Sequence, residues 1–406
     1  MFVDLKLAQE ITKKYGTPVY VYSEKELRAH CREMLEAFDG MLIPSYSIKA
    51  NTNIHLMKII REEGFYCDAM SPGEIFLAEK AGFTDAEIYC ITNNVSAEEM
   101  KFAIDRNVLL SVDSLSQLET YGKINPGGRI SIRVNPGYGM GAGHDKKVIT
   151  AGHETKFGVQ AELFDQVAPV LDRYKLRLVG VQQHIGSLFL DPIPYIDAAK
   201  ALLELVKRCF PGLEFVDFGG GFGCPYKPGE PRLDFKEFMK QFRPILEEFR
   251  EGYDNKKVEF NCEPGRYVVA ESSVILGRVH SIKDNYGSKY VGTDIGFNVL
   301  QRPVMYDSYH HITVLGGGDV SLKPADGSVN VVGNICESGD VLAHDRNIGP
   351  VREGDLIAVE NAGAYGFCMS SNYNCRLKPA EVLIKEDGTL QCIRRADTFE
   401  DLMRNF

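Results

Sequence analysis

Three short segments of the sequence carry residue types that could perform chemistry together. Lys49 follows the apolar run SYSI and precedes Ala-Asn, an unusual place for a solvated lysine. At the mouth of a barrel a lysine can be desolvated, which makes its amine competent to form a Schiff base. The segment FGGGFG at 218–223 offers backbone N–H groups with no side chains in the way, a suitable cradle for a phosphate. Glu263 and Arg266, in CEPGR, place an acid and a base three residues apart.

Each feature also has a plain structural interpretation. Lys49 could lie in a surface loop, the glycines could form a tight turn, and Glu263 could form a structural ion pair with Arg266. Taken together, a lysine amine, a phosphate cradle and a carboxylate able to hold a pyridinium nitrogen are the groups that bind pyridoxal 5'-phosphate (PLP). The three segments therefore predict a PLP site.

The elements that must position these residues follow a regular rhythm. Eight apolar runs rich in β-formers alternate with helical patterns, such as the stripe of Tyr195, Leu202 and Val206 in 193–208. The runs are LIPSYSI (42–48), FYCDAM (65–70), EIYCIT (87–92), LLSVD (109–113), RISIRVN (129–135), LRLVGVQQHI (176–185), LEFVDFG (213–219) and KVEFNCE (257–263). Eight strand–helix units predict a (β/α)8 barrel of the α/β class, with a doubly wound open sheet as the alternative.

Polar or glycine residues recur where these eight runs end. In chain order they are Lys49; Asp68 and Ser71; Asn93; Asp113; Arg133 and Asn135; His184; Gly219, Gly220 and Gly221; and Glu263 with Arg266. The chemistry of such barrels lies at the carboxyl ends of the strands. The recurrence therefore predicts one shared site.

The pattern changes after about residue 272. Strand-like runs separated by Gly, Asp and Asn turns, such as VILGRVHSI, KYVGTDI, VNVVGNI, DLIAVENAG and AEVLI, predict a C-terminal antiparallel β domain. We expect a PLP-binding barrel over 27–272 and the β domain over 273–406. The N-terminal segment 1–26 is expected to pack with the β domain.

Composition excludes several classes of function. The chain of 406 residues is 44% hydrophobic, and 46 Lys+Arg against 56 Asp+Glu give a formal charge of -10, which disfavours nucleic acid and anionic membranes as partners. The N-terminus lacks the features of a secretory signal, and no apolar run approaches the length of a membrane span. Ten cysteines without a C-x-x-C pair are typical of reduced thiols. These features predict a cytoplasmic location.

Two further motifs are interpreted as chance matches. GYGMGA at 137–142 fits a dinucleotide fingerprint, but the segment after it lacks the period of a phosphate-binding helix. The adjacent pair His310 and His311 would point to opposite faces of a strand and has no carboxylate spacing to support it. We therefore expect neither a nicotinamide cofactor nor a metal.

The motifs resemble the fold-type III PLP-dependent decarboxylases over nearly the whole chain. The resemblance is carried by YSIKAN around Lys49, CDAMSPGE at 67–74, HIGS at 184–187, GGGFG at 219–223, EPGR at 263–266, GFNVLQRPVMYDSYHHI at 296–312, CESGD at 336–340 and GAYGFCMSSNYN at 363–374. It implies PLP as cofactor. Within the family, it implies decarboxylation of meso-2,6-diaminopimelate to L-lysine and CO2, the last step of bacterial lysine biosynthesis.

The resemblance also implies roles for individual residues. Lys49 would form the Schiff base with the cofactor, His184 would stack on its ring, and Glu263 would keep the ring nitrogen protonated. The full set of implied cofactor contacts is Lys49, Asp68, His184, Ser187, Gly220, Gly221, Glu263, Gly265, Arg266 and Tyr365.

For the substrate, the resemblance implies a second group of residues. Arg266, Arg302 and Tyr306 would clamp the distal carboxylate, Glu337 would pair with the distal ammonium, and Tyr365 would contact cofactor and substrate. The implied catalytic residues are Lys49, His184 and Cys336, with Cys336 as the proton donor. Cys336 and Glu337 would complete the site of the other subunit in a homodimer with shared active sites.

Other functions remain open at this point. Relatives act on other amino acids or polyamine precursors, of the D-ornithine/D-lysine or carboxynorspermidine type, and alanine racemases share the barrel and the cofactor. A racemase is disfavoured, because Arg302 and Tyr306 would then have no distal carboxylate to bind. Retention of Lys49, Glu263 and Cys336 argues against a non-catalytic regulator. The sequence GVQQHIGSL departs from the family pattern around His184.

Overall fold

A computed structural model of the chain describes residues 1–135, 137, 150–152 and 155–406. These residues form two compact units. The barrel unit comprises Arg28–Cys224 and Pro231–Val268, and the β unit comprises Met1–Leu27, Pro225–Glu230 and Val269–Phe406. The limits of 1–26, 27–272 and 273–406 for the functional domains stay predictions.

The barrel unit is built on eight parallel strands that close into a ring. In chain order the strands are β2 (Ile43–Ser47), β3 (Tyr66–Ala69), β4 (Ile88–Ile91), β5 (Leu109–Val112), β6 (Arg129–Asn135), β8 (Arg177–Gln182), β9 (Phe215–Asp217) and β10 (Glu259–Cys262). They pair in the order β5, β4, β3, β2, β10, β9, β8 and β6, and β6 also pairs with β5, which closes the barrel. Each predicted run contains one of these strands, so the predicted barrel is confirmed.

Helices connect the strands, and polar residues after the strands begin several of them. The helices are α2 (Glu24–Phe38), α3 (Ile54–Glu62), α4 (Pro72–Ala81), α5 (Ala97–Ile104), α6 (Leu115–Ile124), α7 (Val167–Tyr174), α8 (Ile193–Cys209), α9 (Phe235–Gly252) and α10 (Arg266–Val269). The Ser71 hydroxyl accepts a hydrogen bond from the Glu74 N–H and caps α4. Ser96 caps α5 in a capping box with Glu99. Ser71, one of the predicted strand-end residues, therefore has a structural role.

An aromatic cluster in the barrel unit connects α8 and α9 to the glycine segment. The Tyr195 ring lies 4.8 Å from Phe222 and 5.7 Å from Phe238, measured between centroids. The Tyr195 hydroxyl donates a hydrogen bond of 3.0 Å to the Gly219 carbonyl. Packing of these helices thus fixes the backbone at Gly219.

The β unit is a mainly antiparallel sheet. Its strands are β1 (Val19–Ser23), β11 (Ser273–Asn285), β12 (Ser288–Thr293), β13 (Ile312–Gly316), β14 (Ser328–Val332), β15 (Val341–Asn347), β16 (Leu356–Glu360), β17 (Ala380–Ile384) and β18 (Leu390–Arg394). The order is β15, β14, β12, β11, β1, β17 and β18, with β16 pairing to β11 and β13. β1 pairs in parallel with β17, and β12 pairs in parallel with β14. The helices α1 (Leu5–Tyr15), α11 (Arg302–Tyr306) and α12 (Phe399–Leu402) complete the unit.

The GYGMGA segment, apart from Gly137, lies outside the described residues, as do residues 143–149. Further along the chain a short strand, β7 (Val159–Gln160), pairs with β6. Within the ranges that the structure describes, we find no helix long and apolar enough to cross a membrane.

Candidate active site

Lys49 lies on a single 3-10 turn, Ile48–Ala50, directly after β2. Its Nζ atom is 2.9 Å from Oδ2 of Asp68, a fully buried residue on the neighbouring strand β3. The Ser47 hydroxyl donates to the same carboxylate oxygen at 2.9 Å, because Ser47 lies opposite Asp68 in the β2–β3 register. The predicted residues Lys49 and Asp68 are therefore in direct contact, and Asp68 fixes the position of the amine.

Two buried carboxylates lie at the carboxyl ends of the adjacent strands β9 and β10. Glu263 is only 3% exposed, and its Oε1 atom accepts a hydrogen bond of 2.8 Å from Nε2 of Gln182. Asp217, at the end of β9, accepts from the Gly219 N–H at 2.8 Å, while its Oδ2 atom is buried without a hydrogen-bond donor. Burial raises the pKa of Asp217 to about 7. Burial and the adjacent Asp217 charge likewise raise the pKa of Glu263 well above its usual value. The pair therefore holds a proton near neutral pH.

His184 contacts the glycine segment. The Gly220 N–H donates to Nδ1 of His184 at 3.1 Å, so Nδ1 acts as an acceptor. Burial, followed by the positive charges of Lys49 and Arg133, lowers the pKa of His184 well below its usual value. The ring is therefore neutral, with its proton on Nε2.

The glycine segment packs closely against the strand ends. A Cβ atom at Gly220 would lie 2.0 Å from the Glu263 carbonyl oxygen, so no larger residue fits there. At Gly221, where φ is +107°, a Cβ would lie 2.6 Å from the Gly186 carbonyl oxygen. Ser187 lies next along the chain from Gly186, and its hydroxyl is 3.2 Å from Nη2 of Arg266. The Arg266 charge, the Ser187 hydroxyl and the backbone of the glycine segment are thus brought close together.

Gly265 allows a further close approach in the barrel unit. A Cβ atom added at Gly265 would lie 3.0 Å from Cβ of Ser47 and 3.1 Å from Cβ of Ala50. The loop after β10 can therefore pack against the turn that carries Lys49 only because residue 265 has no side chain.

The residues implied for the substrate, apart from Arg266, belong to the β unit. Arg302 begins α11 and is 2% exposed, whereas Tyr306, at the end of the same helix, is half-buried. Tyr365 lies in a left-handed conformation, with φ at +55°.

Cys336 and Glu337 lie together on an exposed loop of the β unit. The Cys336 N–H donates to Oδ1 of Asn374 at 3.0 Å, and Nδ2 of Asn374 is 3.1 Å from the Cys336 sulfur. The Tyr373 hydroxyl donates to Glu337 at 2.5 Å, and this bond and the carboxylate charge raise the pKa of Tyr373. Asn374 and Tyr373 therefore orient the thiol and the carboxylate.

Comparison with known proteins identifies the family. Residues 24–270 match the family of the pyridoxal-dependent decarboxylase, pyridoxal binding domain. A diaminopimelate decarboxylase of Methanothermobacter thermautotrophicus is 43% identical over 98% of this chain and 93% of its own length. An Escherichia coli diaminopimelate decarboxylase is 33% identical over 96% of this chain and 94% of its own. The chain belongs to the diaminopimelate decarboxylase family.

A solved structure agrees with this assignment. The diaminopimelate decarboxylase from Helicobacter pylori, complexed with L-lysine, superimposes with a TM-score of 0.86 and 32% identity, covering 98% of each chain. Family membership confirms the predicted resemblance and fold class, and it makes the protein a PLP-dependent carboxy-lyase. The roles of the individual site residues stay predictions.

The residues of the barrel unit fit PLP. The cofactor needs an amine for its aldehyde, a partner for its ring nitrogen and donors for its phosphate. Lys49 offers the amine beside a buried carboxylate, and the Lys49 charge lowers the pKa of Glu263, which places the two groups in one electrostatic environment. Ser187, Arg266 and the glycine backbone offer the phosphate donors.

Each unit contains residues that contact predicted residues but were not themselves predicted. Predicted residues are contacted by Asp217 and Gln182 in the barrel unit and by Tyr373 and Asn374 in the β unit. The sequence analysis gave none of the four a role, although Tyr373 and Asn374 lie in the motif GAYGFCMSSNYN. The sequence could have indicated Asp217, because it is a charged residue inside the apolar run LEFVDFG. A buried carboxylate on a barrel strand is costly unless the site uses or neutralises it.

We expect Asp217→Asn to weaken the pH dependence of stability in the protein freed of cofactor. The raised pKa means that the folded chain binds a proton that the unfolded chain releases, so stability present near pH 4 is lost as pH rises towards about 7. One such proton gives a slope of about 1.4 kcal/mol per pH unit. Urea unfolding midpoints between pH 5 and pH 8 should therefore fall less steeply for the variant than for the wild type. Equal slopes of midpoint against pH in the variant and the wild type would contradict a proton held by Asp217 and Glu263. The control is Asp165→Asn, which changes an exposed aspartate.

Proposed function

We propose that the protein converts meso-2,6-diaminopimelate to L-lysine and CO2, the last step of bacterial lysine biosynthesis. The observation that carries this proposal is the 43% identity over 98% of the chain to a relative named for this activity. The buried cation Arg302 and the exposed neighbours Cys336 and Glu337 support it, because the distal carboxylate and ammonium of such a substrate have charges opposite to those of Arg302 and Glu337.

In this proposal the barrel unit holds the cofactor. Lys49 would bind it covalently, and Asp68 fixes the amine. Glu263 would hold the ring nitrogen, Gln182 orients Glu263, and the adjacent Asp217 favours retention of a proton there. Neutral His184 would pack on the ring without adding a positive charge. The phosphate would be held by Ser187, Gly220, Gly221, Gly265 and Arg266.

When bound, PLP stabilises the electron pair that remains at Cα after CO2 leaves. The residues of the β unit then bind the substrate and quench that charge. Arg302 and Tyr306, with Arg266, bind the distal carboxylate, Glu337 binds the distal ammonium, and Tyr365 contacts the substrate. The Cys336 thiol delivers the proton to Cα, and Asn374 holds its sulfur in place.

We also propose that the active unit is a homodimer with shared sites, in which Cys336 and Glu337 act in the partner's site. Both residues are exposed in the single chain, as a donated loop requires. We further propose a cytoplasmic location, since all ten cysteines are free thiols in the structure.

Decarboxylation of a related amino acid or polyamine precursor is the alternative activity. A substrate without a distal carboxylate would not supply the anionic ligand proposed for the buried Arg302, which disfavours polyamine precursors that lack this group. Substrate selectivity therefore distinguishes the two proposals.

We expect meso-diaminopimelate to be decarboxylated and L-lysine and L-ornithine to be poor substrates. Each of these two amino acids has one carboxylate, so placing it at the reacting end leaves none for Arg302. Loss of a partner by a buried charge costs about 2 to 5 kcal/mol, which corresponds to a kcat/KM at least about 30-fold lower. Steady-state assays of CO2 release with the three substrates measure this ratio. If L-lysine or L-ornithine were turned over as well as diaminopimelate, the clamp assigned to Arg266, Arg302 and Tyr306 would be wrong.

A further inference from the structure

His310, in the pair set aside as a metal site, contacts Arg302 inside the β unit. Nε2 of His310 is 2.8 Å from Nη1 of Arg302, and Nδ1 of His310 is 2.8 Å from the Glu360 carbonyl oxygen. His310 is 1% exposed and Arg302 is 2% exposed. The contact is therefore shielded from water, where a hydrogen bond to a cation is strong.

Two hydrogen-bond partners determine which ring nitrogen of His310 carries the proton. A carbonyl oxygen can only accept, so Nδ1 of His310 must carry the hydrogen that it donates to Glu360. A guanidinium can only donate, so Nε2 must present a lone pair to Arg302. Both requirements are met by one neutral tautomer of His310.

Other contacts fix the plane of the guanidinium. Nη2 of Arg302 is 3.2 Å from the Ser308 hydroxyl, and the guanidinium lies over the Tyr226 ring at 4.6 Å. The Tyr226 ring in turn meets the His310 ring edge-on, with centroids 5.3 Å apart. Because the guanidinium is planar, holding two nitrogens and one face sets the direction of its remaining N–H bonds.

The chemistry of the acceptor matters as much as its position. A carboxylate facing Nη1 of Arg302 would orient the guanidinium but neutralise its charge. A neutral imidazole orients it and leaves the positive charge available for an anionic ligand.

We propose that His310 is a positioning residue that directs Arg302 towards the distal carboxylate of the amino-acid substrate while preserving the positive charge of Arg302. This inference rests on the proposed function, which gives Arg302 its carboxylate. It assigns His310 a role in recognition of the distal end of the substrate and no contact with the reacting atoms.

The test compares L-lysine with 1,5-diaminopentane as ligands of the holoenzyme, measured by calorimetry. L-Lysine keeps the distal carboxylate and ammonium of diaminopimelate, whereas 1,5-diaminopentane has no carboxylate. His310→Asn can still donate from the δ position to Glu360 but has no acceptor at the ε position. We expect this variant to bind L-lysine about 10- to 100-fold more weakly, the effect of losing a hydrogen bond to a charged group, and to bind 1,5-diaminopentane like the wild type.

An isosteric pair of variants separates orientation from charge. His310→Gln places an uncharged oxygen at the ε position, and we expect its affinity for L-lysine within about 3-fold of the wild type. His310→Glu places a carboxylate at the same position, and we expect it to bind L-lysine as weakly as His310→Asn. This pair decides the question even if His310→Asn does not fold. The exposed neighbour variant His311→Asn is the control and should bind both ligands normally.

Three results would overturn the inference. His310→Asn could bind L-lysine like the wild type, the Gln and Glu variants could behave alike, or the variants could lose both ligands equally, as a purely structural role would predict. A wild-type holoenzyme that binds no L-lysine would instead contradict the proposed function itself. The role inferred for His310 would then also be wrong, because it depends on that function.

Discussion

Replacing Lys49 with alanine is expected to abolish turnover and the visible absorbance of covalently bound PLP. Without the amine, the cofactor is held only by noncovalent contacts and the substrate meets a free aldehyde. The loss of a nucleophile that acts in every turnover costs several orders of magnitude in kcat. Steady-state CO2 release and the absorbance spectrum of the purified protein measure both effects. The spectrum reports on the cofactor bond even where residual activity is too low to assay.

Two further variants make this result specific. Lys49→Arg keeps the positive charge beside Asp68 but should not restore either signal, because a guanidinium stays protonated and forms no imine. Lys80→Ala removes an exposed lysine on α4 that packs over the Phe76 ring, and both signals should stay normal. Normal activity in Lys49→Ala would end the assignment of Lys49 as the cofactor lysine.

Mixing inactive Lys49→Ala protein with inactive Cys336→Ala protein is expected to restore activity. If each site combines Lys49 of one subunit with Cys336 of the other, a hybrid dimer contains one site in which both residues are intact. Random exchange makes half of the dimers hybrid, so recovery should approach about a quarter of wild-type activity per site. The expected change is therefore from near zero to a readily measured rate.

The mixing experiment requires two checks. Each variant must be folded and nearly inactive alone, and subunit exchange must be shown, for example by mass-tagged subunits that form hybrids. A mixture that stays inactive despite exchange would show that each site is built within one chain. Full activity of a wild-type monomer would show the same.

Much of the fold could be predicted because its signals are local. A buried parallel strand is a short apolar run, and the eight runs between residues 42 and 263 each gave one barrel strand. The strands β15 and β18 were not predicted, because VLAHDRN and LQCIR mix polar and apolar residues and are stabilised by neighbouring strands. The strands β1 and β13 were not predicted either, although VYVYS and ITVLG are mainly apolar. Assignment of Pro225–Glu230 to the β unit depends on long-range contacts that no local pattern records.

In the candidate site, too, some residues could be predicted from local sequence and others could be recognised only in the folded chain. Lys49, Glu263 and the glycines were predicted because their residue types suggest chemistry and because they lie at strand ends. Asp217 and His310 act through neighbours, and such contacts depend on strand register and on loops that meet only in the folded chain. His310 was considered as a metal ligand from its residue type alone, because its contacts with Arg302 and Glu360 form only in the folded chain.

Product analysis with the purified holoenzyme tests the central claim most directly. Incubation with PLP and meso-diaminopimelate in D2O should yield L-lysine and CO2 in equal amounts, with one deuterium on the carbon that lost the carboxylate. Lys49→Ala protein treated in the same way should yield neither product. Failure of the wild-type holoenzyme to release CO2 from meso-diaminopimelate, or release of CO2 without L-lysine, would contradict the proposed function.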